Sequence, residues 1–197
     1  MNSALIVVDE QIDFCEGGAL PVQGGNQVCH ATNMFLEREP SKIQFVAFTK
    51  DWHIEPGDHF SDTPDYVDTW PPHCVANTEG AQINQSIILG ANSYTTNEVF
   101  YKGMRHASYT GFDGVRFMAN APQTLNQWLK NMAVGRVYIC GLALDYCVKA
   151  TALDAVEYGY ETILIRDLTA PVSYETGEKA KDELLAAGVI FAHSQEV

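Results

Sequence analysis

Val137-Tyr138-Ile139-Cys140-Gly141-Leu142-Ala143-Leu144-Asp145-Tyr146-Cys147-Val148 is the stretch that decides the fold. An apolar run, Val137–Cys140, meets a glycine turn, and a helical pattern begins near Asp145. That pattern continues through Val148, Ala152, Ala155 and Val156 and stops near Gly159. A strand feeding directly into a helix is the repeating step of a parallel α/β sheet with right-handed crossovers. The same step recurs on both sides. Leu5–Val8, Phe45–Phe48, Val99–Tyr101, Ile163–Ile165 and Val189–Phe191 read as further strands, several apolar without alternation. Continuous apolar runs predict strands covered on both faces. Between them, Gln27–Glu39 reads as a helix ending before Pro40, and Gly177–Ala187 as one ending at Gly188. Leu125, Trp128, Leu129 and Met132 recur at i, i+3, i+4 and i+7, with Pro122 near the predicted helix start. The expected fold is a single α/β domain over residues 1–197, a mostly parallel central sheet with helices on both faces. One stretch breaks the rhythm. Residues 51–90, rich in Pro, Gly, Asp, His and Trp, are too long for a plain connection and read as a functional insertion.

Composition limits the partners. Of 197 residues, 46% are apolar and 19% charged, which excludes wholesale disorder and predicts burial of roughly 70% of the unfolded surface. The net charge of −13 repels phosphate backbones and anionic lipid, and the basic residues are scattered singly. Neither a nucleic acid nor a membrane partner is expected; a small-molecule substrate is, on a monomer or small homo-oligomer. The apolar run Ala4–Val8 meets Asp9-Glu10 too early for a secretory leader. Five cysteines without paired spacing argue against a disulfide framework, so a cytoplasmic setting is expected.

In open α/β sheets ligands bind beyond the carboxyl ends of the strands. Asp9 follows the first strand, Asp51 and His53 the second, Lys102 the third, and Cys147 the fourth after a short turn. Each alone has a plain structural reading: a ladder-end or cap carboxylate, a lysine reaching solvent, a small buried thiol. Their convergence on one edge is what counts. A thiol in the first turn of a helix feels the dipole and free N–H groups, which predicts a thiolate beside amides able to hold an oxyanion. A neighbouring carboxylate can take and return the proton while an ammonium balances charge. Cys15, Cys29 and Cys140 read as small buried residues. In the insertion, Asp51-Trp52-His53 puts a carboxylate and an imidazole on one side of an extended segment, with His59 and His73 following. His and Asp ligands suit one divalent ion such as zinc, iron or manganese, and histidines scattered in a polar loop are the plain alternative.

These motifs, taken together, resemble a known family. Val7-Val8-Asp9-Glu10-Gln11-Ile12-Asp13-Phe14-Cys15-Glu16-Gly17-Gly18, Thr49-Lys50-Asp51-Trp52-His53, Gly57-Asp58-His59-Phe60, Trp70-Pro71-Pro72-His73-Cys74, Phe100-Tyr101-Lys102-Gly103, Tyr109-Thr110-Gly111-Phe112 and Gly141–Val148 are similar to the nicotinamidase (pyrazinamidase) branch of the isochorismatase-like cysteine hydrolases. The resemblance implies that fold, and hydrolysis of nicotinamide to nicotinate and ammonia, or of pyrazinamide to pyrazinoate, through a cysteine thioester feeding NAD salvage. It implies a catalytic set of Asp9, Lys102 and Cys147, with backbone amides of Ala143 and Cys147 as oxyanion hole and a cis Leu142–Ala143 peptide. It also implies a divalent metal held by Asp51, His53, His59 and His73, and a substrate pocket touched by Phe14, Trp70, Tyr109 and Leu142. Two positions depart from the common pattern: Leu144, often Thr or Ser, and Tyr146, which is His in some relatives.

Overall fold

The computed structural model describes residues 1–87, 97–118 and 121–197. The expected insertion is therefore described as far as Ile87, and its last three positions, 88–90, lie outside the described residues. Strands β1 (Asn2–Val8), β2 (Phe45–Asp51), β3 (Asn97–Lys102), β4 (Val115–Arg116), β5 (Gln123–Thr124), β6 (Val134–Leu142), β7 (Glu161–Ala170) and β8 (Ile190–Ala192) form one sheet in the order β5-β4-β3-β2-β1-β6-β7-β8. All neighbouring pairs from β3 to β8 are parallel; β4 and β5 close one edge antiparallel. Those two were not foreseen, because two-residue strands carry no readable period. The α-helices are α1 (Gly25–Glu37), α2 (Leu125–Asn131), α3 (Lys149–Glu157) and α4 (Tyr174–Ala186).

The unbroken apolar runs do what such runs predict. In β1, Leu5 and Val7 join a core with Val28, Cys29, Phe35 and Leu36 of α1. Ala4, Ile6 and Val8 point the other way, into a core with Trp128 and Leu129 of α2, Ala152 and Ala155 of α3 and Leu184 of α4. Alternate residues of one strand thus feed two cores, which is why no polar face interrupts the sequence.

The helix starts come from local chemistry more than from the markers read in the sequence. α2 is opened by Thr124 and Gln127, each bonding the other's backbone in a capping box, rather than by Pro122. α4 begins at Tyr174, earlier than expected, because the Ser173 side chain accepts from the Thr176 N–H. Asp145 draws that helix toward the β6 turn by accepting from the Val172 N–H at 2.9 Å and from the Thr176 hydroxyl.

Candidate active site

Parallel strands bring their carboxyl ends to one edge, and the register aligns the side chains there: Asp51, the last residue of β2, pairs with Lys102, the last of β3. Asp9 follows β1 with φ of +48°, a left-handed turn that aims its carboxylate along the edge. Thr49 holds that carboxylate, its hydroxyl donating to Asp9 Oδ1 at 2.6 Å while the Asp9 N–H donates to Thr49 at 3.3 Å. Gln11 clamps Asp51 from both sides, accepting from its N–H at 2.7 Å and donating to its carbonyl at 2.8 Å.

Lys102 Nζ is the hub. It lies 2.9 Å from Asp9 Oδ2 and 2.5 Å from Asp51 Oδ1, donates to the Ser108 carbonyl at 3.0 Å and reaches Cys147 Sγ at 3.7 Å. All three side chains around it are buried. Burial alone would depress the ammonium, but Asp51 and Asp9 outweigh it and hold its pKa well above the ordinary lysine value. Burial raises the Asp9 carboxyl, opposed by Lys102 and reinforced by the Asp51 charge. Burial would raise Asp51 too, yet Lys102 and the neighbouring imidazoles keep it below the usual carboxylate range.

Cys147 departs from the thiolate expected of a helix start. Burial pushes its thiol well above the ordinary value, Lys102 opposes this, and Asp9 and Asp51 add to the rise. The local backbone differs too. Leu144–Val148 is wound as a π-turn, and α3 begins only at Lys149, so the sulfur lies ahead of the regular helix. Turning a thiol in these surroundings into a nucleophile requires a base. The Leu142–Ala143 peptide is cis, as the resemblance implied.

His53, His59 and His73 gather beside this edge. His53 lies in a bridge with Val75, His59 in the turn Gly57–His59, and His73 just after Trp70-Pro71-Pro72. Their ring centroids form a triangle with sides of 5.0, 5.0 and 5.4 Å. The Nδ1 atoms of His53 and His73 lie 2.6 and 2.8 Å from the carbonyls of Gly103 and Pro71, so each ring donates there and turns its Nε2 lone pair inward. Among the described residues, His53 Nε2 and His59 Nδ1 are buried with no hydrogen-bond partner. Burial and its neighbours lower His59 to about 4, the neutral form a metal needs. One nitrogen from each ring lies within 4.8 Å of the others, and Asp51 Oδ2 is 3.7 Å from His53 Nε2. The donor set fits a divalent ion. Asp9, Asp51 and Cys147 also approach within 4.8 Å of one another, but Lys102 Nζ already stands among them and excludes a cation.

A cavity of about 510 Å³, counting its open mouth, lies over these groups. Phe14, Trp70, Tyr109, Ala143, Cys147, Asp51, His59 and His73 line it, together with residues the sequence did not single out for the pocket: Leu20, Pro21, Val22, Ser108 and Val172. Tyr146 also lines it, its ring 5.1 Å from that of Trp70, and Trp70 Nε1 donates to the Tyr109 hydroxyl at 3.0 Å. Leu142 does not. It is fully buried behind the wall and turned toward Gly25. Thr49, Gln11 and the Ser108 carbonyl were also missed, since nothing in a sequence tells a holding hydroxyl or amide from any other.

A buried carboxylate, ammonium and thiol under an apolar cavity, with imidazoles to one side, define a cysteine hydrolase on an α/β sheet, and the chain belongs to the isochorismatase domain family, which matches residues 3–196. The nicotinamidase/pyrazinamidase of Mycobacterium tuberculosis is 46% identical over 94% of this chain and 96% of its own. Among solved structures, the pyrazinamidase of Pyrococcus horikoshii in complex with zinc is 34% identical, covers 98% of this chain and 99% of its own, and superposes with a TM-score of 0.81. The yeast nicotinamidase bound to the inhibitor nicotinaldehyde is 29% identical, with 97% and 99% covered and a TM-score of 0.82.

Proposed function

We propose that this protein hydrolyses nicotinamide to nicotinate and ammonia, and pyrazinamide to pyrazinoate, through a thioester on Cys147, feeding NAD salvage. The observation that carries the reading is Lys102 Nζ held between the carboxylates of Asp9 and Asp51 and 3.7 Å from the Cys147 sulfur, at the floor of an aromatic-walled cavity. A buried thiol beside a carboxylate calls for that carboxylate as base, which orders the events. Asp9 takes the Cys147 proton as the sulfur attacks the carboxamide carbon. The N–H groups of Ala143 and Cys147 receive the oxyanion. The C–N bond breaks, and Asp9 returns the proton to the departing ammonia. Water, deprotonated by Asp9, then attacks the thioester, the C–S bond breaks, and the sulfur recovers its proton. Lys102 balances negative charge throughout, which two buried carboxylates beside a developing thiolate require.

Phe14 and Trp70 would flank the ring, with Tyr109 at its edge. Asp51, His53, His59 and His73 would hold a zinc, iron or manganese ion, making the segment from 51 toward 90 the metal-binding insertion. Such an ion supplies an open coordination position to a ring nitrogen or to a water that bonds one. The four free, buried thiols besides Cys147 suit a reducing cytoplasm, and no helix among the described residues is long and apolar enough to cross a membrane. A substrate panel tests the reading. Nicotinamide and pyrazinamide, each with a nitrogen meta to the carboxamide, should turn over, and benzamide should be poor because a polar anchor is left unpaired. Equal kcat/KM for benzamide and nicotinamide in metal-replete protein would overturn the anchoring role, and no ammonia from any of the three would overturn the activity.

A further inference from the structure

Behind the cavity wall, on the α1 side of the sheet, lies a second cluster that the hydrolytic chemistry does not use. Cys15 Sγ and Cys29 Sγ are 3.5 Å apart and buried, although they stand fourteen positions apart along the chain. Asn84 Nδ2 donates to Cys15 Sγ at 3.1 Å, and the Cys15 thiol donates to the Gln11 carbonyl at 3.3 Å. Glu10 completes the cluster. Its Oε1 accepts from the Thr32 hydroxyl at 2.7 Å, and its Oε2 is buried without a hydrogen-bond partner. An apolar core gains nothing from a carboxyl left half-satisfied beside two touching thiols. A buried carboxyl that keeps its proton, and can take one on one oxygen while giving one up from the other, has a use as a relay beside a dithiol.

We propose that Cys15 and Cys29 are a peroxide-sensitive dithiol that closes to a disulfide behind the cavity wall. The sulfurs need approach only from 3.5 Å to about 2.0 Å. The Cys15 sulfur attacks one oxygen of a hydroperoxide, the O–O bond breaks, and the Cys15 proton leaves with the departing oxygen. The product with hydrogen peroxide is a sulfenic acid and one water. The Cys29 sulfur then attacks the sulfenic sulfur, the S–O bond breaks, and the Cys29 proton, passed through Glu10, leaves with the hydroxyl as a second water. Two thiols are oxidised by two electrons and one peroxide is reduced. Cys15 is the group to react first. It adjoins the exposed Glu16 and Gly17, whereas Cys29 is enclosed within α1, and its contacts with Cys29 and Asn84 favour its thiolate. Access requires only local opening of the segment around Glu16 and Gly17, which is already exposed. The bond would tie the segment carrying Phe14, a cavity wall, to α1, and a thiol reductant would release it.

Peptide mapping decides the matter without an activity assay. The first basic residue is Arg38, so trypsin leaves both cysteines on one peptide, residues 1–38. After treatment of the native protein with hydrogen peroxide and alkylation of the remaining thiols, that peptide should be lighter by two hydrogens and carry no alkyl group at Cys15 or Cys29. Cleavage after Glu16 should leave its two parts joined until reductant is added. In Cys29→Ala the linkage should vanish and Cys15 should be found as a sulfinic acid. Two alkylated thiols on the wild-type peptide, once Cys147 has been fully oxidised, would overturn the proposal. So would Cys15 or Cys29 joined to Cys140 instead. The wild-type mapping stands by itself should Cys29→Ala not fold.

Discussion

Asp9 has two oxygens with different duties. Oδ1 is tied to the Thr49 hydroxyl and Oδ2 faces Lys102, so in the proposed reaction Thr49 sets which oxygen is free to move a proton. Asp9→Asn keeps the shape but cannot accept that proton, and kcat should fall by about 10²–10⁴. Folding should survive, because Lys102 keeps Asp51 as its counter-charge; circular dichroism alongside ammonia release checks both. An Asp9→Asn variant with half the wild-type rate would make the carboxylate structural. Glu10, one residue on, gives a pH prediction. Burial raises it from 4.5 to about 8, so between those values the unfolded chain releases a proton that the folded chain keeps. Unfolding therefore becomes easier as pH rises through that window and no further above it, a loss on the order of a few kcal/mol. Glu10→Gln should flatten that part of the Tm–pH curve and be the more stable protein at pH 9. A parallel fall in both proteins would place the titrating group elsewhere.

At the scale of elements, the turn between β6 and the helix behind it is the most constrained joint. Gly141 has φ of +114°, and a Cβ there would come 2.1 Å from the Val8 carbonyl of the neighbouring strand. Gly141→Ala should cost at least ~2 kcal/mol, read by denaturant titration, and displace Ala143 and Cys147 with the strand end. Thr124→Ala, which removes the cap of α2 far from the cavity, should cost about 1 kcal/mol and leave kcat/KM unchanged. This contrast also marks what the sequence made legible. The strands announced themselves because both faces are buried, and the side chains at their ends followed from parallel register. The π-turn could not be read, since its residues fit a helix of ordinary winding equally well. The raised thiol could not be read either, because it depends on Asp9 and Asp51, distant in sequence and adjacent only after folding. Cys15 and Cys29 looked unremarkable for the same reason, as only the packing of α1 on the sheet brings them together.

Across the whole molecule, two clusters share one sheet edge, and the proposed function divides the labour between them: Asp9, Lys102 and Cys147 for bond-making, and the imidazoles with Asp51 for a metal. Lys102 and Asp51 belong to both through a single ion pair, so metal and chemistry should be coupled through it. Metal bound at a hundredfold excess over its Kd should stabilise the fold by about 2.7 kcal/mol, and chelation should lower Tm correspondingly. His53→Ala should abolish that dependence; an unchanged Tm response to metal in this variant would remove His53 from the ligand set. Everything at this edge converges on Cys147 as the proposed nucleophile of an amide hydrolysis. Ammonia release from nicotinamide, measured side by side for the metal-replete wild-type protein and Cys147→Ala at matched folded concentration, tests that role most directly. One ammonia per nicotinate formed is expected from the wild type and none above background from the variant. Ammonia from Cys147→Ala at a rate comparable to wild type would contradict that role.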